Sequence, residues 1–172
     1  QARAADRSAW DGEPHWNARI QLLLLSDQHP DLLDAKLTTS PGEPFDRWGW
    51  VVDSRTRFVD QVGFKYLINV DGTGGPADRL YWLLYTGSLV IQKRSPMKSM
   101  LFGSVLRPGE HFLEVAEDLS DLIPTLLWAR EHEEECREIA ARGQEVARST
   151  VTHDHVLHYL YRSLLEYNKL LA

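Results

Sequence analysis

Apolar positions along this chain follow two different periods, and each change of period marks an expected change of element. "ARIQLLLLSDQHP", residues 18–30, predicts a short helix from about Ala18 to Ser26 that must stop before Pro30. "LLDAKLTT", residues 32–39, fits a short strand, and the proline- and glycine-rich "SPGEPFDRWGW" after it reads as a loop. "DSRTRFVDQVGF", residues 53–64, predicts a short helix with Asp53 or Ser54 as its N-cap. "KYLINV", residues 65–70, is a buried strand closed by Asp71-Gly72. "ADRLYWLLYTG" returns to helical spacing and ends at Gly87, a stop signal. "SLVIQK" and "HFLEV" predict a second and a third strand.

The remainder is helical. "DLSDLIPTLLWAREHEEE" opens on Asp118 and Ser120 as cap residues. Pro124 falls in its first turn, where a missing N–H costs little. "EEECREIAARGQEVARS" continues as helix, with Gly143 its weak point. "THDHVLHYLYRSLLEYNKLL" predicts a long amphipathic C-terminal helix. Leu157, Leu160, Tyr161, Leu164, Leu165 and Tyr167 fill its apolar side. Strand, helix, strand, then strand and several helices is the order of an α/β fold, with a parallel sheet flanked by helices. Residues 1–17 are polar and small, with Trp10 and Trp16 as isolated anchors, and read as an N-terminal arm, leaving 18–172 as one domain.

Bulk properties narrow the function classes. An apolar content of 43% with 26% charged residues is that of a soluble globular protein. The formal net charge of −6 argues against a general basic surface for nucleic acid, though not against a local basic pocket. No apolar run approaches the roughly 18–20 residues of a membrane span. No signal peptide or retention motif is visible, and the chain begins with Gln1, so it reads as processed, trimmed or part of something longer, and the compartment stays open. Cys136 is the single cysteine, so no internal disulfide is expected. It reads as a half-buried helix residue, and the three glutamates before it disfavour the thiolate.

The most suggestive chemistry lies between the first strand and its helix. Gly72, Thr73, Gly74 and Gly75 form a glycine-rich turn, and Arg79 stands at the mouth of the next helix. In an open parallel sheet, ligands bind beyond the carboxyl ends of the strands. Such a turn brings backbone N–H groups close to an anion, and the positive helix end adds attraction. Arg79 supplies a planar, permanently charged fork for phosphate oxygens. A diphosphate fits best. The pattern is neither G-x-G-x-x-G nor a P-loop, and a tight turn beside a surface arginine is the plain alternative.

Other clusters carry less. His155 and His158 share a helix face near His153 and Asp154, but no third ligand completes a metal pattern, so none is expected. "EHEEE" reads as a solvated face. Trp48 and Trp50 either cover the core or meet a partner.

Six pieces, in order, resemble glycosyltransferase family 90, the protein O-glucosyltransferase and capsule-xylosyltransferase group. They are "DLLDAKLT", "FKYLINVDG", "RLYWLLYTGSLVI", "LRPGEHFLEVAEDLSDL", "EIAARGQEVARS" and "YLYRSLLEYNKLL". The resemblance covers residues 31–171 and implies the second, donor-binding Rossmann-like domain of a two-domain GT-B type enzyme. It implies that Arg79 holds the diphosphate of a uridine-diphosphate sugar and that Gly72–Gly75 line it. Lys65 and Asp118 fall at matching positions near the donor, and His111 matches a family histidine that either faces the cleft or serves the structure. No metal or other cofactor is implied, and no catalytic base is evident in this chain. Members of the family point to the secretory pathway.

The chain also departs from the family. Trp10-Asp11-Gly12 stands where Trp-Arg-Gly is usual, Ala77 replaces a serine, Asp78 adjoins Arg79, and the turn is one residue longer. Two functions follow from resemblance and departures together. One is the donor half of an inverting glycosyltransferase, whose catalytic or acceptor-binding half lies elsewhere. The other is a retired domain kept as a structural subunit of a larger assembly.

Overall fold

A computed structural model describes residues 18–36, 57–70, 77–95, 105–150 and 152–171. The arm, Trp48, Trp50, Asp53, Ser54 and the turn Gly72–Gly75 lie outside these residues, as do the side chains of Ala77 and Asp78. Three strands, β1 (Tyr66–Asn69), β2 (Leu89–Lys93) and β3 (Leu113–Val115), form a parallel sheet in the order β1-β2-β3. Tyr66 pairs with Leu89 and Asn69 with Gln92, and Gln92 pairs in turn with Glu114. A parallel sheet is covered on both faces, which explains why its strands are near-continuous apolar runs.

The two faces bury different sets. Val70, Ile91 and Val115 pack with Leu33 behind helix α1 (Ala18–Gln28) and with Leu122 and Leu126 of α4 (Leu122–Glu131). Leu67, Val90 and Phe112 pack against Leu80, Leu83 and Leu84 of α3 (Ala77–Tyr85) and Ala147 of α5 (Glu133–Thr150). Each fully buried leucine or isoleucine contributes about 1.5–3 kcal/mol. The helix α3 ends where expected. Gly87 has φ +80°, a left-handed conformation that a side chain would strain, and Gln144 Nε2 donates to the Tyr85 carbonyl at 3.0 Å.

Several expectations change. Residues 33–36 are irregular, not strand; Ser26 Oγ donates to the Leu33 carbonyl and accepts from the Ala35 N–H, taking the place of a ladder. The helix expected over 53–64 is a single turn, α2 (Phe58–Gln61), whose N-cap is Arg57 without a side-chain cap bond. Asp118 and Ser120 do not cap α4. Its N-cap is Asp121, whose carboxylate is already occupied by the Ala116 N–H at 2.7 Å. Cys136 is fully buried, and its thiol donates to the Ala129 carbonyl at 3.6 Å. Burial, more than the glutamates, pushes this thiol up.

The C-terminal helix α6 (His153–Leu171) forms as predicted, yet none of its residues is buried. Leu164 is 66% exposed and Tyr161 60%. The amphipathic pattern is real, but the side chains of its apolar side stay exposed. Among the described residues, no helix is long and apolar enough to cross a membrane.

Candidate functional site

The carboxyl ends of the three parallel strands define one edge of the sheet. Chain direction alone puts the start of α3 there, because α3 follows β1 and must run back along it. Arg79 is the third residue of α3 and is exposed at that edge. It lies in the helix's first turn, where the macrodipole attracts anions.

The turn after β3 opens on the same edge. Leu119 adopts φ +57° while remaining buried, which turns the chain sharply into α4. The Ser120 N–H and hydroxyl both donate to Asp118 Oδ1, at 3.1 and 2.6 Å. These bonds, the hydroxyl first, hold the exposed Asp118 carboxyl below the usual aspartate range. A carboxyl depressed in this way gives stability that is present above its unfolded pKa and is lost as pH falls through the folded one. Ser120→Ala removes the larger cause, so the Asp118 midpoint is expected to rise in a carboxyl-carbon NMR titration; an unmoved midpoint would show that the hydroxyl bond is not formed in solution.

Lys65 sits elsewhere. It precedes β1 at the amino end of the sheet, where it forms an ion pair with Glu133 at the start of α5. The pair raises the lysine and lowers the glutamate. Four strand residues, roughly 13 Å, separate Lys65 from the edge that carries Arg79. Two open grooves of about 360 Å³ each share Lys65, Tyr66 and Glu133 at this amino end. Several of their polar side chains are already engaged within the chain, Lys65 with Glu133 among them. Tyr66 donates to the Ala129 carbonyl at 3.1 Å, and Ser88 to the Phe64 carbonyl at 2.7 Å. The structure therefore brings Arg79 and Asp118 to one edge and sets Lys65 apart from them.

His111 is buried, and its Nδ1 accepts the Arg107 N–H at 3.0 Å. That bond ties the approach to β3. The exposed His155 meets Thr152 Oγ1 at 2.9 Å, and among the described residues no three His, Cys, Asp or Glu side chains are placed to hold a metal.

One polar group escaped the sequence reading. Asn69, Gln92 and Lys93 are buried at the carboxyl ends of β1 and β2. The available signal was a polar residue inside each apolar run, "LINV" and "VIQK".

Comparison with known proteins gives a consistent picture. The sequence model described as Glycosyl transferase family 90 matches residues 2–172. Protein O-glucosyltransferase 3 of Rattus norvegicus is 34% identical over 165 residues, which are 94% of this chain and 32% of the relative. Protein O-glucosyltransferase 2 of Danio rerio is 34% identical over 167 residues, covering 96% of this chain and 33% of that protein. Protein O-glucosyltransferase 1 of Homo sapiens is 30% identical over 156 residues, covering 90% and 39%. The chain thus spans about a third of the length of the curated relatives it matches.

Proposed function

The chain belongs to glycosyltransferase family 90, and on that premise we propose that it is the donor-binding part of an inverting glycosyltransferase. The donor is a uridine-diphosphate sugar, glucose by the names of the relatives, and the acceptor is a hydroxyl of a protein. The observation that carries this reading is the position of Arg79. It is presented by the first turn of α3, directly off the carboxyl end of a parallel strand.

The chemistry follows from that position. As the glycosidic bond to phosphate breaks, negative charge builds on the departing diphosphate. A guanidinium and the positive end of a helix stabilise that charge more than they stabilise the intact donor. The turn Gly72–Gly75 adds backbone N–H groups, and Asp118 on the same edge accepts hydrogen bonds from the sugar or ribose. The base that deprotonates the acceptor hydroxyl comes from outside this chain. Lys65 has no part in the reading. Calorimetric titration of the chain with uridine diphosphate is expected to give saturable binding; none at millimolar ligand would overturn the proposal.

A second reading has its own observation, the exposed apolar side of α6. A domain retained as a subunit of an assembly would keep such a side for its partner. Leu160→Asp with Leu164→Asp is expected to leave the melting temperature of the chain nearly unchanged, because neither side chain is buried. A large drop would show that the stripe belongs to the chain's own core and would remove the support for this reading.

A further inference from the structure

We propose that Asn69 is a specificity contact for the donor, accepting a hydrogen bond from a neutral hydroxyl or N–H of the bound nucleotide sugar. The inference rests on the donor-binding reading above and assigns a residue to its uncharged part.

The starting point is a chain of amide polarity. Gln92 Nε2 donates to the Lys93 carbonyl at 2.7 Å. A carbonyl only accepts, so this bond fixes which end of the Gln92 amide is nitrogen. Gln92 Oε1 then accepts from Asn69 Nδ2, also at 2.7 Å. Turning the Asn69 amide over would set two acceptor oxygens against each other. Asn69 must therefore present its Oδ1 away from Gln92. That oxygen is buried and has no hydrogen-bond partner. Asn69 itself has 0% exposure. A buried, unpaired carbonyl oxygen at the carboxyl end of a strand costs stability and is uncommon in native proteins.

The orphan oxygen lies on the α3 side of the sheet. Asn69 shares a strand face with Leu67, which packs with Leu80, Leu83 and Leu84. It stands two residues beyond Leu67, about 6.6 Å nearer the carboxyl edge. That brings it to the start of the helix whose first turn carries Arg79. Ligands of open parallel sheets enter at this edge.

The chemistry of the pair divides the ligand. Phosphate oxygens are acceptors and suit the guanidinium of Arg79, but they cannot satisfy Asn69 Oδ1. An O–H or N–H can. A buried acceptor also rejects an analogue that lacks the matching donor, because the site is then left unpaired. Arg79 supplies charge attraction, and Asn69 supplies selection for a hydroxyl-bearing or N–H-bearing donor over a bare phosphate.

The test is calorimetry on the full 172-residue chain with inorganic pyrophosphate, uridine diphosphate and uridine-diphosphate glucose. Asn69→Leu is expected to weaken uridine-diphosphate glucose about fivefold to tenfold while leaving pyrophosphate unchanged. Loss confined to the sugar nucleotide would place the contact on the sugar, and loss with both nucleotides would place it on the nucleoside; either supports the proposal. Asn69→Ala withdraws the amide oxygen without adding volume, and should give the same selective loss if the leucine variant does not fold. Equal weakening of all three ligands would show that Asn69 only shapes the cradle and would overturn the inference, as would no change with any. A wild-type chain that binds none of the three overturns the donor-binding reading itself, and this inference with it.

Discussion

Arg79→Ala is expected to weaken uridine diphosphate binding by about 30-fold. The size follows from the kind of bond lost. A charge-assisted hydrogen bond to an anion is worth about 1.5–3 kcal/mol, and every 1.4 kcal/mol is tenfold in affinity. Arg79→Lys keeps the charge but loses the planar fork, so it should recover only part of the affinity. Lys65→Ala supplies the contrast. Lys65 is paired with Glu133 at the opposite end of the sheet, so its removal should leave the titration unchanged. If Arg79→Ala bound as tightly as the wild type, or if Lys65→Ala lost affinity in its place, the edge carrying Arg79 would not be the donor site. The effect should also shrink as salt is raised, because the contact is partly exposed.

The sequence disclosed the sheet because its strands are short apolar runs bounded by turn residues, and a parallel sheet buried on both faces needs such runs. "KYLINV", "SLVIQK" and "HFLEV" all form strands, and α3 and α6 appear where their periods placed them. What the sequence hid was spatial. Lys65 and Arg79 are close in sequence, but a strand between them carries one to each end of the sheet. Asp118 and Ser120 have the composition of helix caps, yet they bond each other instead. The period of α6 identifies an apolar side without saying what covers it. The Asn69–Gln92 pair was invisible because its partners become neighbours only through the register of β1 and β2.

Gly143 reverses its sequence reading, and Gly143→Ala is expected to destabilise the chain by about 2–3 kcal/mol. In an exposed helix the same substitution would stabilise by up to about 1 kcal/mol, since glycine carries the larger backbone entropy cost. Here α5 lies directly against the segment entering β3. A Cβ at residue 143 would press well inside contact distance of the His111 carbonyl oxygen and come within 2.9 Å of Leu84 Cδ2. The oxygen belongs to the backbone and cannot step aside. Its segment is held from both sides. Arg142 Nε donates to the Glu110 carbonyl at 2.9 Å, and His111 Nδ1 accepts the Arg107 N–H at 3.0 Å. Phe112, next in line, is packed among Leu67, Leu80, Leu83, Leu84 and Val90. Relieving the clash therefore means shifting either α5 or the entry to β3, a cost typical of overpacked cores. For a chain of this size that cost should lower the melting temperature by about 5–10 °C, read by thermal denaturation. A rise of one or two degrees would mean that α5 and the His111 segment do not approach as closely in solution. β3 leads into the Asp118 turn, so a displaced entry to that strand should also weaken nucleotide binding. Affinity would then fall without any contact residue having been changed.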